Sequence, residues 1–138
     1  MPEVIVLDTH VWLWLVNGNF ENLPEHWLSE LEAASRVAVC SISCYEIALA
    51  HKRGRINLPG STQEWFENAF EPVGVEQLAL TFQIASRAVK LAPIHRDPFD
   101  RLIIATALMH EAKLASVDGL IFRYPEVSDL IMKRKPGE

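Results

Sequence analysis

Four acidic residues stand where carboxylates can do chemistry. Asp8 and Asp118 each follow a short apolar segment directly, and Glu46 and Asp100 fall in the first turns of segments with helical periodicity. Carboxylates gathered within a few ångströms raise one another's pKa, so they do not all stay ionised unaided. A divalent cation removes that conflict, and Mg²⁺ and Mn²⁺ prefer all-oxygen ligand sets that keep several waters. A cation so held lowers the pKa of a bound water and stabilises charge on a phosphoryl oxygen. In-line cleavage of a phosphodiester is the natural use of such a cluster.

Each acid also has an ordinary role. Asp8 fits a helix N-cap. Glu46 completes a capping box with Ser43. Asp100 favours the helix dipole at the third position. Asp118-Gly119 is a turn dipeptide. For Glu46 and Asp118 taken singly, the cap and the turn are the better explanations. They leave unexplained why Asp100 shares a helix face with Ile103, Ile104 and Ala107, and why four acids fall at one edge. Asp97 is accounted for by an N-cap role ahead of Pro98.

The elements that must position these residues alternate between strand and helix. Val4–Leu7, 37–42 and 114–117 read as continuous apolar strands, as in a parallel sheet buried on both faces, and 72–75 as a further strand. Helices are expected over 9–16, 24–35, 43–54, 62–70 and 78–91. Another is expected from Asp97-Pro98-Phe99-Asp100 to about 111, with Asp at the N-cap and Pro at the first helical position. This alternation predicts a single α/β domain over 1–132, with a short parallel sheet flanked by helices. Residues 133–138, with Lys133-Arg134-Lys135, are expected to form a disordered basic tail, and the last twenty residues to be irregular. Ligands of open parallel sheets bind beyond the carboxyl ends of the strands, which is where Asp8 and Asp118 fall.

Composition narrows the classes. The chain has 138 residues, 49% of them hydrophobic and 22% charged, enough for a real core. No apolar run approaches the ~20 residues that cross a bilayer, and no leader is visible, so a soluble cytoplasmic chain with no membrane role is expected. Cys40 and Cys44 lack the spacing of a redox or zinc pair and read as reduced thiols. The net charge of −5 means that nucleic acid would have to be bound by a local basic patch.

The stretches Leu7-Asp8-Thr9-His10-Val11-Trp12-Leu13-Trp14, Ile42-Ser43-Cys44-Tyr45-Glu46-Ile47, 95–105 (His95-Arg96-Asp97-Pro98-Phe99-Asp100-Arg101 and the apolar residues after it) and Leu114-Ala115-Ser116-Val117-Asp118 carry a resemblance. In that order and over nearly the whole chain, they resemble PIN-domain proteins, in particular the VapC-type toxin ribonucleases of bacterial and archaeal toxin–antitoxin pairs. The resemblance implies a Mg²⁺- or Mn²⁺-dependent endoribonuclease, the toxin of a type II pair, with Asp8, Glu46, Asp100 and Asp118 on the family's acidic positions. It implies Asp8 and Asp100 as direct metal ligands, with Glu46 and Asp118 binding metal directly, through water, or orienting the attacking water. Thr9 and Ser116 match small hydroxyl positions that hydrogen-bond the carboxylates; Ser116 stands where the family commonly has Thr. A homodimer and a cognate antitoxin are implied as partners.

Lys52, Arg53 and Arg55 cluster after the Glu46 segment, and Arg96 and Arg101 flank Asp97 and Asp100. For Lys52 and Arg53 a helix C-terminal role comes first; Arg101, beside an expected ligand, is the better candidate for RNA contact. Trp12 and Trp14 sit in a helix apolar all round, which is either fully buried or covered by another chain. His10 and His95 make no zinc spacing and read as structural or peripheral. A dinucleotide site is excluded because Asp8-Thr9-His10 replaces the Gly-rich turn. The alternative is a non-catalytic PIN-like module that binds RNA or protein.

Overall fold

The computed structural model describes residues 3–133. Four strands, β1 (Val4–Leu7), β2 (Arg36–Cys40), β3 (Val75–Leu78) and β4 (Lys113–Ala115), form one sheet in the order β3-β2-β1-β4. All neighbouring pairs are parallel, with Ile5 beside both Val37 and Lys113. Six helices accompany them: α1 (Thr9–Asn17), α2 (Trp27–Ala33), α3 (Ile42–Lys52), α4 (Thr62–Asn68), α5 (Phe82–Val89) and α6 (Pro98–Met109). The expected α/β class with a parallel sheet holds. The chain builds outward from β1 to β2 to β3, then returns to lay β4 on the other side of β1. The order therefore reverses between β1 and β4, and a crevice opens at their carboxyl ends.

Val4-Ile5-Val6-Leu7 is apolar throughout because both faces of β1 are covered. Ile5 and Leu7 enter one core with Trp12, Trp27, Val39 and Trp65, while Val4 and Val6 enter the other with Ile103, Ile104, Leu114 and Tyr124. The period-two alternation of strand side chains thus feeds two layers. A smaller cluster of Ile84, Ala88 and Ala105 locks α5 onto α6.

Trp12 answers the question raised by its apolar helix. It is fully buried within the chain's own core, against Trp65 and Phe70, and its Nε1 donates to the Ala69 carbonyl at 2.9 Å. Its burial requires no second chain.

Several expected boundaries move, among them β2, which ends at Cys40 and not at 42, and α2, which spans Trp27–Ala33 and not 24–35. The third strand is Val75–Leu78, because a 3-10 turn over Glu71–Val73 and Gly74 at φ +72° precede it. Its exposed Glu76 and Gln77 mark it as an edge strand. α5 therefore starts later, at Phe82, with Thr81 as N-cap accepting from the Ile84 amide. The capping box is also corrected. α3 begins at Ile42, which puts Ser43 inside the helix and Glu46 past its first turn. Ser41 does not cap either; its Oγ accepts from the Leu80 amide and ties down the loop after β3.

The C-terminal segment is more ordered than expected. Two 3-10 turns, Ile121–Arg123 and Pro125–Val127, lead to Ile131, which bridges Leu114 along the open edge of β4. The Lys133 carbonyl accepts from Trp27 Nε1. The remainder of the expected basic tail, 134–138, lies outside the described residues. Among those described, no helix is long and apolar enough to cross a membrane.

Trp12→Ala deletes a fully buried indole and leaves the Ala69 carbonyl without its donor. A loss of about 3–5 kcal/mol is expected in equilibrium urea unfolding. A loss under 1 kcal/mol would show that the core over α1 is not packed as described.

Candidate active site

Asp8, Glu46, Asp100 and Asp118 all line one cleft at the crevice between β1 and β4, together with Thr9, His10, His95 and Asp97. Asp8 ends β1 and opens α1. Its Oδ1 accepts from the Val11 amide at 3.0 Å, so it is the N-cap, while Oδ2 accepts from Ser116 Oγ in the loop after β4. The expected cap and the expected site contact coexist on different oxygens. Burial is the chief reason the Asp8 carboxyl titrates above its ordinary range, partly offset by these two hydrogen bonds.

Thr9 links α1 to α3. Its Oγ1 lies 2.5 Å from Glu46 Oε1 and 2.9 Å from Ser43 Oγ. An ionised carboxylate only accepts, so Thr9 donates to Glu46 and receives its second bond from the buried Ser43 hydroxyl. Burial again comes first in raising Glu46, with the nearby Asp97 and Asp8 charges adding to it and the Thr9 bond opposing it. Thr9 and Ser116 each hydrogen-bond one cleft carboxylate.

Asp100 is pushed up to about 8, first by burial and then by the charges of Asp97, Asp118, Glu46 and Asp8. His95 Nε2 stands 2.9 Å from Asp100 Oδ2 and 3.9 Å from Asp118 Oδ2. The Asp97 amide donates to His95 Nδ1, which leaves Nε2 as the protonated nitrogen facing Asp100. Asp118 Oδ1 accepts from the Leu120 amide, so its turn role is real and its other oxygen remains available to the cleft. Asp97 caps α6 by accepting from the Phe99 amide and lines the cleft as well.

Sequence reasoning under-read two members. Asp97 is a fifth cleft carboxylate, and its N-cap role concealed that. His95 is not peripheral: with Asp97 and Asp100 it forms a group whose ligand atoms lie within 4.8 Å of one another. The His95-to-Asp100 stretch carried the signal, since three residues of metal-ligating type, His95, Asp97 and Asp100, fall in six positions around the helix start. Both His95 nitrogens are already used, Nδ1 by a backbone amide and Nε2 toward Asp100. The carboxylates are therefore the free donors, and His95 orients one of them.

Arg101 corrects an expectation. It does not line the cleft. Its guanidinium donates to the carbonyls of Ala88, Leu91, Ala92 and His95, and to the Tyr124 hydroxyl. These include the orphan carbonyls at the end of α5, which need donors. Arg101 holds the chain end of α5 and the segment carrying His95 in place.

The donor set fits a hard divalent cation: several carboxylate oxygens, raised in pKa by burial and mutual repulsion. Among the described residues no Lys or Arg forms an ion pair with any of them. A parallel α/β domain with an acidic cleft at its switch point defines the class, and the comparisons agree. The PIN domain profile matches residues 5–127. Ribonuclease VapC22 of Mycobacterium tuberculosis (strain ATCC 25618 / H37Rv) is 32% identical over 115 residues, 83% of this chain and 86% of that protein. The chain belongs to the PIN-domain family. Its fold is shared by a chain of the Rickettsia felis VapBC2 complex bound to a promoter DNA fragment (TM-score 0.67, 16% identity, 94% and 97% of the two chains). It is shared also by a chain of FitAcB from Neisseria gonorrhoeae (TM-score 0.61, 19% identity, 94% and 96%).

Two predictions follow from this geometry. Folded Asp100 keeps its proton to about pH 8, whereas the unfolded chain ionises it near 3.8. A raised carboxyl pKa makes the metal-free fold lose stability as pH climbs between those values. In EDTA at pH 8, Asp100→Asn is expected to be more stable than the parent by about 1–3 kcal/mol, with the gap closing toward pH 4; a gap independent of pH would contradict the assignment. Arg101→Ala is expected to lose about 2–4 kcal/mol, because several carbonyls lose a charged donor. An unchanged Tm would return Arg101 to the list of free cations.

Proposed function

We propose that this protein is a Mg²⁺- or Mn²⁺-dependent endoribonuclease of the VapC type, the toxin of a type II toxin–antitoxin pair. The observation that carries the reading is the cleft of five carboxylates, three of them titrating above their ordinary range, with no Lys or Arg paired to them among the described residues. The likeness to Ribonuclease VapC22 supplies RNA as the polymer.

In this reading Asp8 and Asp100 hold the metal, with Glu46 and Asp118 completing the set directly or through water. A divalent ion bound there would supply Lewis acidity at the scissile phosphate and lower the pKa of the attacking water. The protein's own part is positioning. Val11 N–H and Ser116 fix the two oxygens of Asp8. Thr9 aims Glu46, which stands ready to take the proton from the water as its oxygen bonds to phosphorus and the P–O bond to the leaving nucleoside breaks. His95 holds Asp100.

The partners follow from the same reading. The Rickettsia felis relative was solved as a VapBC2 complex, and a further relative as a toxin–antitoxin complex from Klebsiella pneumoniae, which supports a cognate antitoxin here. A homodimer is supported by α5, where Phe82 and Val89, two helical turns apart, are 79% and 81% exposed. Action in the cytoplasm, where RNA is found, belongs to the same proposal. The alternative of a non-catalytic module is weakened because no acid of the set is missing.

Purified protein is expected to cleave RNA with Mn²⁺ and to be silent in EDTA. Asp8→Asn should lose more than the roughly 10–100-fold typical of removing an outer hydrogen-bond partner, and Ser116→Ala should fall within that range. Equal cleavage in all conditions would end the metal-nuclease reading. Tight partner binding with no cleavage of any RNA would favour the module.

A further inference from the structure

The cleft described above solves one electrostatic problem and creates another. Carboxylates that would hold a cation repel, away from that cation, every other phosphate of a polyanion. The whole chain adds to the repulsion, with 13 Lys and Arg against 18 Asp and Glu. A strand that reaches the scissile position must therefore be held by cations placed close to the cleft.

A second groove opens beside the first and shares His10, Glu46 and Asp97 with it. Its far side carries Arg53 and Arg55, and its floor is apolar, with Ile56 and Phe99. Neither arginine makes a side-chain hydrogen bond or ion pair among the described residues, although both lie beside an acidic cleft. In contrast Arg101 is consumed by backbone carbonyls and Arg36 by Glu76 at the opposite end of the sheet.

The two arginines are also held in place by the backbone. The Gly54 amide donates to the His51 carbonyl and the Arg55 amide to the Ala50 carbonyl, with Gly54 at φ +71°. This is the paired-bond ending of a helix at a left-handed glycine. It closes α3 and presents Arg53 and Arg55 on either side of the turn, while Ile56 packs back against the core. The helix that carries Glu46 into the cleft thus ends by carrying two free guanidinium groups to the neighbouring groove.

We infer that this groove, through Arg53 and Arg55, seats the phosphates of the RNA strand flanking the scissile bond. The inference rests on the ribonuclease reading and extends it by a route for the substrate. Guanidinium suits the task because its fork pairs with phosphate oxygens and it is always charged. The apolar floor is suited to sugar and base faces.

The test uses the full chain with Arg53→Ala/Arg55→Ala, read in two ways. Binding of a short labelled single-stranded RNA of mixed sequence is followed by anisotropy across a KCl titration, in an Asp8→Asn background that separates binding from turnover. Affinity at low salt is expected to fall about tenfold, and the slope of log K against log salt to become shallower by about 1.4, two phosphates at about 0.7 each. Cleavage by the otherwise unaltered protein should lose its efficiency through KM and not kcat. Arg53→Lys/Arg55→Lys restores the slope and guards against a folding artefact, and Arg36→Ala leaves both readouts unchanged. If the unaltered protein cleaves RNA but the double alanine variant binds and cleaves as well as it does, the groove inference falls and the ribonuclease reading stands. If binding depends on the arginines but no RNA is cut with Mn²⁺, the ribonuclease reading falls and the groove remains an RNA seat. Unchanged RNA affinity with weakened binding of a co-expressed antitoxin assigns the groove to a protein and overturns the inference.

Discussion

Asp8 is a carboxylate almost without solvent, at the point where the sheet changes direction. A buried acid is tolerated only when its oxygens are satisfied or its charge is matched. Both oxygens are taken by hydrogen bonds, one from the first turn of α1 and one from the loop after β4. The same pair of bonds therefore fixes how far apart the two lips of the crevice stand. From there the constraint spreads around the cleft: Thr9 follows Asp8 and secures Glu46 on α3, and His95 joins the start of α6 to the Asp118 loop. What these bonds do not supply is positive charge. Burial first, and the neighbouring carboxylates after it, raise Asp8, Glu46 and Asp100, and a divalent cation would offset both.

The cap and turn roles of these acids turn out to be part of the site and not rivals to it. Asp8 and Asp118 each give one oxygen to a backbone amide, while the other meets the buried Ser116 hydroxyl in Asp8 and faces His95 in Asp118. A carboxylate held at one oxygen has few rotamers left, so its second oxygen is aimed in advance. Asp97 fits the same scheme, because capping α6 is what places it beside Asp100. Capping thus supplies orientation, and the crowding that results adds to burial in raising the Asp100 carboxyl.

What could be read in the sequence follows from how local the cause was. β1 was legible to the residue because Val4–Leu7 is apolar on both faces, and α6 because Asp97-Pro98 fixes its start. β3 was not, because Glu76 and Gln77 on an edge strand break the apolar run. The capping box failed at Ser43 because the helix starts two residues earlier than the Ser–Glu spacing suggests, and Glu46 finds its partner 37 positions away in Thr9. His95 was missed for a similar reason: its role is set by the Asp97 amide and by Asp100 together, which no spacing rule describes. Arg101 illustrates the reverse error. Its place next to an acid suggested a phosphate contact, yet the carbonyls at the end of α5 are a stronger claim on a guanidinium than solvent is.

The distribution of arginines then has a physical logic. An acidic molecule that engages Arg101 with backbone carbonyls and presents Arg53 and Arg55 in the groove beside its cleft has little attraction for polyanions in general. Long-range attraction would favour any nucleic acid, whereas cations confined to one groove act only within about a Debye length of it, about 8 Å at physiological salt. Productive contact then requires a strand to enter the groove and the acidic cleft together. Selectivity in such an arrangement comes from the shape of the path between the two, set by α3, whose first half positions Glu46 and whose glycine-closed end presents Arg53 and Arg55. Glu46 on α3 and the arginines at its closed end keep a fixed separation, so under the proposed reading the position of a cut would be set by the distance along the RNA from the phosphates that the arginines would hold.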